Sequence, residues 1–545
     1  MCFWGRGRFL LAKAVEPALY KSLYALYKNG GGYNLFCIEA ILGKDEPKHA
    51  GEIFNTTPQS STYTSTPLQG RCMSLLSHDR FWNFMIQFPT TKRMLNLCLK
   101  KCPECGRTVL EAALDRYVGN HEVKCEECSR FYSRVIDFWI EFLRRSLNIK
   151  REKVERLLAD PYARRAVLNI AKSFNYFGIK KPLSIHAPFL VVWDFTHKCN
   201  LQCKHCYSDS GGIREEELTT EEAKDVVDQL ADAGVTALAF SGGEPLTRKD
   251  FFEVARYAAD RGLYVSLATN GTLLTKENVR KLKEAKINYV DVSIDGATAK
   301  THDEFRGVPG AFDKAMAGLQ NCIDADLCVC IASTATKSNV EEFPLIIDLA
   351  EKVGAERFTY FNFIPAGRGK AHYEQDLSPE ERERLMRYLL ARMSSSCKTT
   401  ILTTAPQLAR VGIQCQGPQG TGEVTMSMAH MQTVKVTKRA VPLADFIGGC
   451  GAGRLYCSLS PQGDVHPCVF FPETVGSLKK EKFIDIWLKA PMFTTLRNRS
   501  TLTGACGNCK YKFICGGCRA RAHAYHNDFL ASDPGCVLAK EVEST

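Results

Sequence analysis

The chain runs to 545 residues, more than one compact core holds, so two or three domains are expected. Apolar residues at 45% and charged residues at 24% are those of a globular protein, and no run of about 18 apolar residues offers a membrane-spanning helix. The net charge of +11 is spread along the chain, with no basic run interleaved with aromatics, so nucleic acid is not an expected partner. The 24 cysteines fall in short-spaced groups, which points to metal–thiolate chemistry in a reducing cytoplasm and away from a secreted disulfide framework.

Residues 1–90 read as a poorly defined extension. Ala12 to Tyr27 fits an amphipathic helix with Leu11, Val15, Leu23 and Leu26 near one stripe, and Asn55 to Pro67 has the Ser/Thr/Pro/Gln composition of a linker. Lys13 and Glu16 interrupt the opening stretch before an apolar core forms, so a cleaved signal is not expected. Residues 91–182 read as a metal-knuckle and helical region. Cys102-Pro-Glu-Cys105 and Cys125-Glu-Glu-Cys128, with nineteen residues between them, have zinc-ribbon spacing; zinc and iron fit four thiolates equally. A structural role, holding a mini-domain too small for its own core, is favoured over a redox role. Further on, Phe131, Val135, Phe138, Phe142 and Leu143 share a helical face, followed by Arg144, Arg145, Lys150 and Arg151. Packing on the neighbouring domain is the expected use of that face, and peripheral contact with a membrane surface the lesser one.

From residue 183 to 393 strand and helix patterns alternate. The strands are expected at Phe189–Asp194, Ala237–Ser241, Val265–Thr269, Tyr289–Ile294, Cys328–Ser333 and Phe358–Ile364, with helices between; Thr219 or Thr220 caps the clearest of these. This is an α/β pattern with a parallel sheet, and such sheets bind ligands at the carboxyl ends of their strands. The loop leaving the first strand carries Cys199, Cys203 and Cys206 at C-x3-C-x2-C spacing. Thiolates this close suit a cubic iron–sulfur cluster, which normally takes four cysteines, so three leave one iron open for chemistry. Gly242-Gly243-Glu244-Pro245 follows the second strand, and Ser293 and Asp295 close the fourth. His197 and His205 read as packing or solvated residues, and no general base is marked by spacing. Residues 394–447 read as a connector, loop-like at Gly417–Gly422 and followed by Met426, Met428 and Met431. Residues 448–545 are again cysteine-dense.

The cysteine loop, with Tyr207 after its third thiol and the G-G-E-P turn one strand later, resembles the radical S-adenosylmethionine superfamily. The resemblance implies a partial (β/α)6 barrel, a [4Fe-4S] cluster on Cys199, Cys203 and Cys206, and S-adenosylmethionine bound to its open iron. It also implies that Gly242, Gly243 and Glu244 hold the methionyl amino group, with Ser293 and Asp295 at the ribose hydroxyls and Tyr207 at the adenine edge. Asn270 and Arg368 are weaker candidates for the same site. The tail resembles the SPASM extension of radical enzymes: a cysteine, a G-x4-C at Gly463–Cys468, a C-x2-C-x5-C run and a later cysteine. Cys515 and Cys518 are two residues apart where that pattern has three, so the division of ligands is open. By the resemblance one auxiliary [4Fe-4S] cluster takes Cys450, Cys457, Cys468 and Cys518, and a second takes Cys506, Cys509, Cys515 and Cys536; one cluster with spare thiols is the alternative.

The stretch from Cys515 to Tyr525, with Asp533-Pro-Gly-Cys536, is similar to enzymes of alternative heme and heme d1 biosynthesis, and also to pyrroloquinoline-quinone and thioether-peptide maturases. The leading expectation is hydrogen abstraction by a 5′-deoxyadenosyl radical in the maturation of a tetrapyrrole, with a ferredoxin or flavodoxin as low-potential electron donor. A peptide or lipid substrate, and a multi-cluster electron carrier without catalysis, are the alternatives.

Overall fold

A computed structural model describes residues 89–119, 125, 136–137, 140–141, 144–145, 149–212, 216–395, 397–415, 423–428, 432–437 and 444–539. The expected helix at Ala12–Tyr27, the linker, Cys128, the loop at Gly417–Gly422, Met431 and the apolar face from Phe131 to Leu143 (Phe131, Val135, Phe138, Phe142, Leu143) lie outside the described residues.

Helices α1 (Pro89–Leu99), α2 (Val109–Tyr117), α3 (Arg151–Ala159) and α4 (Pro161–Phe177) precede the sheet. The strands follow as β1 (Leu190–Thr196), β2 (Ala237–Gly242), β3 (Tyr264–Thr269), β4 (Tyr289–Ser293), β5 (Val329–Ala335) and β6 (Arg357–Asn362), each within two residues of its expected start. Helices α5 (Thr220–Ala233), α6 (Phe251–Asp260), α7 (Lys276–Glu284), α8 (Ala299–Arg306), α9 (Ala311–Asp324) and α10 (Phe343–Val353) lie between them. The start of α5 shows why: the Thr219 hydroxyl accepts from the Glu222 amide while the Glu222 carboxylate accepts from the Thr219 amide, satisfying two otherwise orphaned donors. Gly234, left-handed at φ 95°, ends it.

Regular elements also occur between residues 394 and 447. After α11 (Pro379–Ser394), β7 (Thr400–Thr403) pairs in parallel with β6, and α12 (Gln407–Cys415) and an antiparallel pair, β8 (Glu423–Met428) and β9 (Gln432–Thr437), follow. The cysteine-rich tail also enters the main sheet. Its strand β10 (Tyr456–Leu459) lies parallel to β1, and β11 (Asp464–His466) and β12 (Gly476–Ser477) extend it antiparallel, giving ten strands in the order β12-β11-β10-β1-β2-β3-β4-β5-β6-β7.

Successive side chains on a strand face opposite ways, and the two faces here differ in chemistry. Val191, Trp193 and Phe195 of β1, Leu238 and Phe240 of β2, and Val290 and Val292 of β4 are fully buried in one core with Phe251, Phe343 and Trp487. The alternate positions carry Asp194, Ser241, Ser266, Asp291 and Ser293, so the concave face is polar and built from short side chains.

Helix α4 covers the amino end of the sheet. Tyr162 meets Tyr264 edge-on at 5.1 Å, the Arg165 guanidinium donates to the Ala231 carbonyl, and the Ser173 hydroxyl accepts from the His186 amide at 2.8 Å. Asn169 is buried and pairs both ways with the Ala187 backbone, Nδ2 donating at 2.6 Å and Oδ1 accepting at 3.0 Å. For this described part of the basic helical region, packing is the use observed. Among the described residues no helix is long and apolar enough to cross a membrane. Asn169→Leu leaves the Ala187 amide and carbonyl unsatisfied, and is expected to cost about 1–3 kcal/mol in the denaturant unfolding free energy.

Candidate active site

The cysteine loop leaves the carboxyl end of β1 and is held from three sides by backbone. From the turn after β2, the Gly243 and Glu244 amides donate to the carbonyls of Thr196 (2.7 Å) and Lys198 (2.8 Å). From the end of α8, the Arg306 and Phe305 carbonyls accept from the Gln202 and Lys204 amides at 3.2 and 3.3 Å. From the segment after β6, the Arg368 amide donates to the Cys206 carbonyl at 2.9 Å, and its guanidinium donates to the carbonyls of Cys203 and Ser210, each at 2.9 Å. A Cβ on Gly243 would stand 2.2 Å from the Lys198 carbonyl oxygen, and one on Gly367 2.2 Å from that of Tyr207. The glycine of the G-G-E turn is therefore required by the approach of the cysteine loop itself.

Cys203 is buried; Cys199 and Cys206 are half-buried beside Leu201 and Ala311. The Arg306 guanidinium lies 3.6 Å from Cys203 Sγ: burial pushes this thiol up and the guanidinium pulls it back toward the thiolate a metal needs. Among the described residues, the group of three or more ligand atoms that closes to within 4.8 Å is Cys102, Cys105 and Cys125.

Glu244 is fully buried. It accepts from the Thr269 hydroxyl (2.9 Å), the Asn270 amide (2.8 Å) and the Leu246 amide (3.2 Å); burial lifts its carboxyl to about 7 against these donors. Asn270 in turn donates to Asn200 Oδ1 at 2.8 Å, tying the loop after β3 to the cysteine loop. Tyr207 turns its phenol into the barrel, donating to Asp194 at 2.9 Å and lying 3.0 Å from the Ser241 hydroxyl; burial raises Asp194 to about 7 while this hydrogen bond opposes it. Ser293 is half-buried at the carboxyl end of β4, on the concave face.

The Asp295 side chain is fully buried; one oxygen pairs with Arg306 and the other accepts from the Thr334 amide at 2.7 Å. It fixes the arginine that faces Cys203. Arg306 was missed from sequence because nothing in its spacing separates it from a surface helix residue. His205 stacks on Phe305 with centroids 4.2 Å apart, the packing role expected of it.

In the tail, Cys450, Cys468 and Cys518 line one cavity with Tyr456, Asn362, Thr404 and Phe470. Burial raises the Cys515 thiol, and the neighbouring Cys536 and Cys506 raise it further. The Cys509 amide donates to the Cys506 carbonyl at 3.4 Å. Cys457 lies opposite Val191 on β10 and enters the apolar core with Leu455 and Leu459, on the face of the strand turned away from Tyr456 and Cys468. Asp533, fully buried, links the two groups. Its amide donates to Cys506 Sγ at 3.3 Å, its carboxylate accepts from the Cys518 amide at 2.7 Å, and Arg521 pairs with it at 3.4 Å. Far along the chain, Cys102 and Cys125 hold their sulfurs 3.7 Å apart, close to the roughly 3.8 Å edge of a tetrahedron with bonds of about 2.3 Å.

Such a set of thiols at the carboxyl end of a parallel sheet defines an iron–sulfur enzyme. A family model described as the radical SAM superfamily matches residues 193–350, and one described as an iron-sulfur cluster-binding domain (SPASM) matches residues 450–510. The chain is 39% identical over 353 residues to the AdoMet-dependent heme synthase of Methanosarcina barkeri, which spans 65% of this chain and 97% of that protein. It is 31% identical over 362 residues to the mycofactocin maturase of Mycolicibacterium smegmatis, covering 65% of this chain and 83% of that one. The structure of Streptococcus suis SuiB bound to S-adenosylmethionine shares the fold, with a TM-score of 0.56 at 18% identity over 80% of this chain and 93% of the other. The chain belongs to the radical SAM superfamily, in its SPASM-bearing branch, and is a radical SAM enzyme with [4Fe-4S] clusters and S-adenosylmethionine as cofactors.

Gly243→Ala drives a methyl into the Lys198 carbonyl and displaces the loop. Reconstituted variant is expected to hold about four fewer irons per chain than the parent, by iron and sulfide analysis, while the signals of the tail clusters persist.

Proposed function

We propose that this enzyme oxidatively modifies a tetrapyrrole, trimming carboxylate-bearing side chains. The observation that carries this reading is the 39% identity to an AdoMet-dependent heme synthase over 97% of that protein's length. Cys199, Cys203 and Cys206 would hold the [4Fe-4S] cluster, the donor set being three thiols on a loop that leaves one corner without a side chain. When bound, the cluster and S-adenosylmethionine supply a 5′-deoxyadenosyl radical, at the cost of one electron from a ferredoxin or flavodoxin.

The chain's own part is placement. The turn Gly242–Glu244, bonded to the cysteine loop, presents the methionyl amino group's site beside the open corner. Ser293 offers a hydroxyl to the ribose on the concave face. Tyr207 stands between the loop and the substrate side, its ring 5.4 Å from that of Phe470 at the mouth of the tail cavity. Cys450, Cys468 and Cys518 would hold one auxiliary cluster and Cys506, Cys509, Cys515 and Cys536 a second. Cys102, Cys105 and Cys125, with Cys128, would hold a single zinc or iron ion at the helical appendage, with a structural role. A second reading, maturation of a peptide, is favoured by the mycofactocin maturase likeness at 31% identity.

Anaerobically reconstituted protein with dithionite, S-adenosylmethionine and an iron porphyrin bearing propionates is expected to release 5′-deoxyadenosine and to lower the porphyrin's mass by lost carboxyl groups, neither occurring with Cys203→Ala. Deoxyadenosine release with the porphyrin's mass unchanged, and a mass change on a precursor peptide, overturns the tetrapyrrole reading in favour of the second. Purified protein is also expected to carry one non-cluster metal ion per chain by mass spectrometry, lost in Cys105→Ser with cluster iron unchanged.

A further inference from the structure

The tail buries cations that no carboxylate meets. Arg499 and Arg519 are each 4% exposed. Arg499 Nη1 donates to the Lys512 and Phe513 carbonyls, and Nη2 to those of Gly448 (2.9 Å) and Cys450 (3.1 Å). Arg519 Nη1 donates to the carbonyls of Phe529 (3.0 Å) and Ala531 (2.7 Å), and Nη2 to Cys506 Sγ at 3.4 Å. Arg454, 1% exposed, donates to the same Gly448 and Cys450 carbonyls as Arg499, at 2.9 and 3.2 Å, so two like charges converge on two oxygens. The neighbouring arginines are matched: Arg382 by Asp376, Arg521 by Asp376 and Asp533, and Arg410 by Glu383. Among the described residues no carboxylate oxygen lies within 4.0 Å of Arg454, Arg499 or Arg519. Asp533, beside Gly517, is taken up by Arg521 and the Cys518 amide.

The turn between Cys515 and Cys518 is shaped to admit two of these side chains. Gly516 and Gly517 are both left-handed, at φ 70° and 62°. A Cβ on Gly516 would stand 2.7 Å from Arg499 Nε, and one on Gly517 2.4 Å from Arg519 Nη2. Each guanidinium therefore packs on one glycine of the turn, and the two line a common cavity with Cys450. Carbonyl oxygens satisfy the N–H groups but leave the net charge standing, and a buried charge without a counter-ion is strongly destabilising. The site lacks an anion. A thiolate-bound iron–sulfur cluster is one, and it gains a further unit of negative charge on reduction.

We infer that Arg499 and Arg519 are the counter-ions of the two tail clusters, Arg499 for the group with Cys450 and Arg519 for the group with Cys506, and that their fixed charge stabilises each reduced cluster over the oxidised one and holds its potential up. The inference rests on the proposed tail clusters and not on the identity of the substrate.

The test uses full-length protein carrying Cys199→Ala, Cys203→Ala and Cys206→Ala, reconstituted anaerobically so that only tail clusters are present, and titrated with dithionite under electron paramagnetic resonance. Arg499→Met and Arg519→Met are each expected to keep the iron count of that parent while the reduced fraction of one tail cluster at fixed potential falls about tenfold, a drop of about 59 mV in its midpoint. Arg499→Lys and Arg519→Lys keep the charge and are expected to stay near the parent. Iron retained with midpoints unmoved in both Met variants overturns the inference, as does an equal fall in the Lys and Met variants, which is the mark of geometry and not of charge. A parent without tail iron overturns the cluster reading and this one with it. If the Met variants hold no iron, the parent grown on arginine labelled with nitrogen-15 in the guanidino group is expected to show nitrogen hyperfine coupling to a reduced tail cluster, through Arg519 and Cys506, and absence of that coupling overturns the inference. Deoxyadenosine release and the porphyrin mass change are measured on protein with the first cysteine loop intact, so the substrate reading fails separately.

Discussion

Everything at the reactive end depends on backbone hydrogen bonds to a loop that has no regular structure of its own. A loop presenting three thiols must expose sulfur, and so it cannot bury enough side chain to fix itself. Its carbonyls and amides are instead matched by the turn after β2, the end of α8 and the segment after β6. Two of these neighbours come so near that only glycine fits, at Gly243 and Gly367. Because the strands are parallel, all three neighbours leave the sheet at the same end, and that convergence is what a parallel sheet supplies.

Around this frame two sets of buried charges are paired. Arg306 pairs with Asp295 and faces Cys203, and Arg521 sits between Asp376 and Asp533 with no exposure. These pairs do structural work beside sulfur: each fixes a guanidinium or a carboxylate that touches a thiol or the amide next to one. Replacing either partner alone strands the other in a dry interior, so such pairs resist piecemeal change.

The six central strands were legible because each is a short run with apolar residues at alternate positions between helical patterns, and the cysteine motif and G-G-E-P turn were legible by spacing. Four-residue β7 and β10 were not. Their partners lie far off in sequence, and β10, buried on both faces, shows no alternation from which a side could be read. Spacing reports that a thiol such as Cys457 is near in sequence but not which face of a strand it leaves. The place of Asp295 just past β4 is legible from sequence, and its partner, Arg306, is not.

The strand β10 lies directly against β1, the strand that emits the first cysteine loop. The two cysteine-bearing regions are thus joined by a hydrogen-bonded ladder, and the register of β1 on β10 sets how far apart they stand.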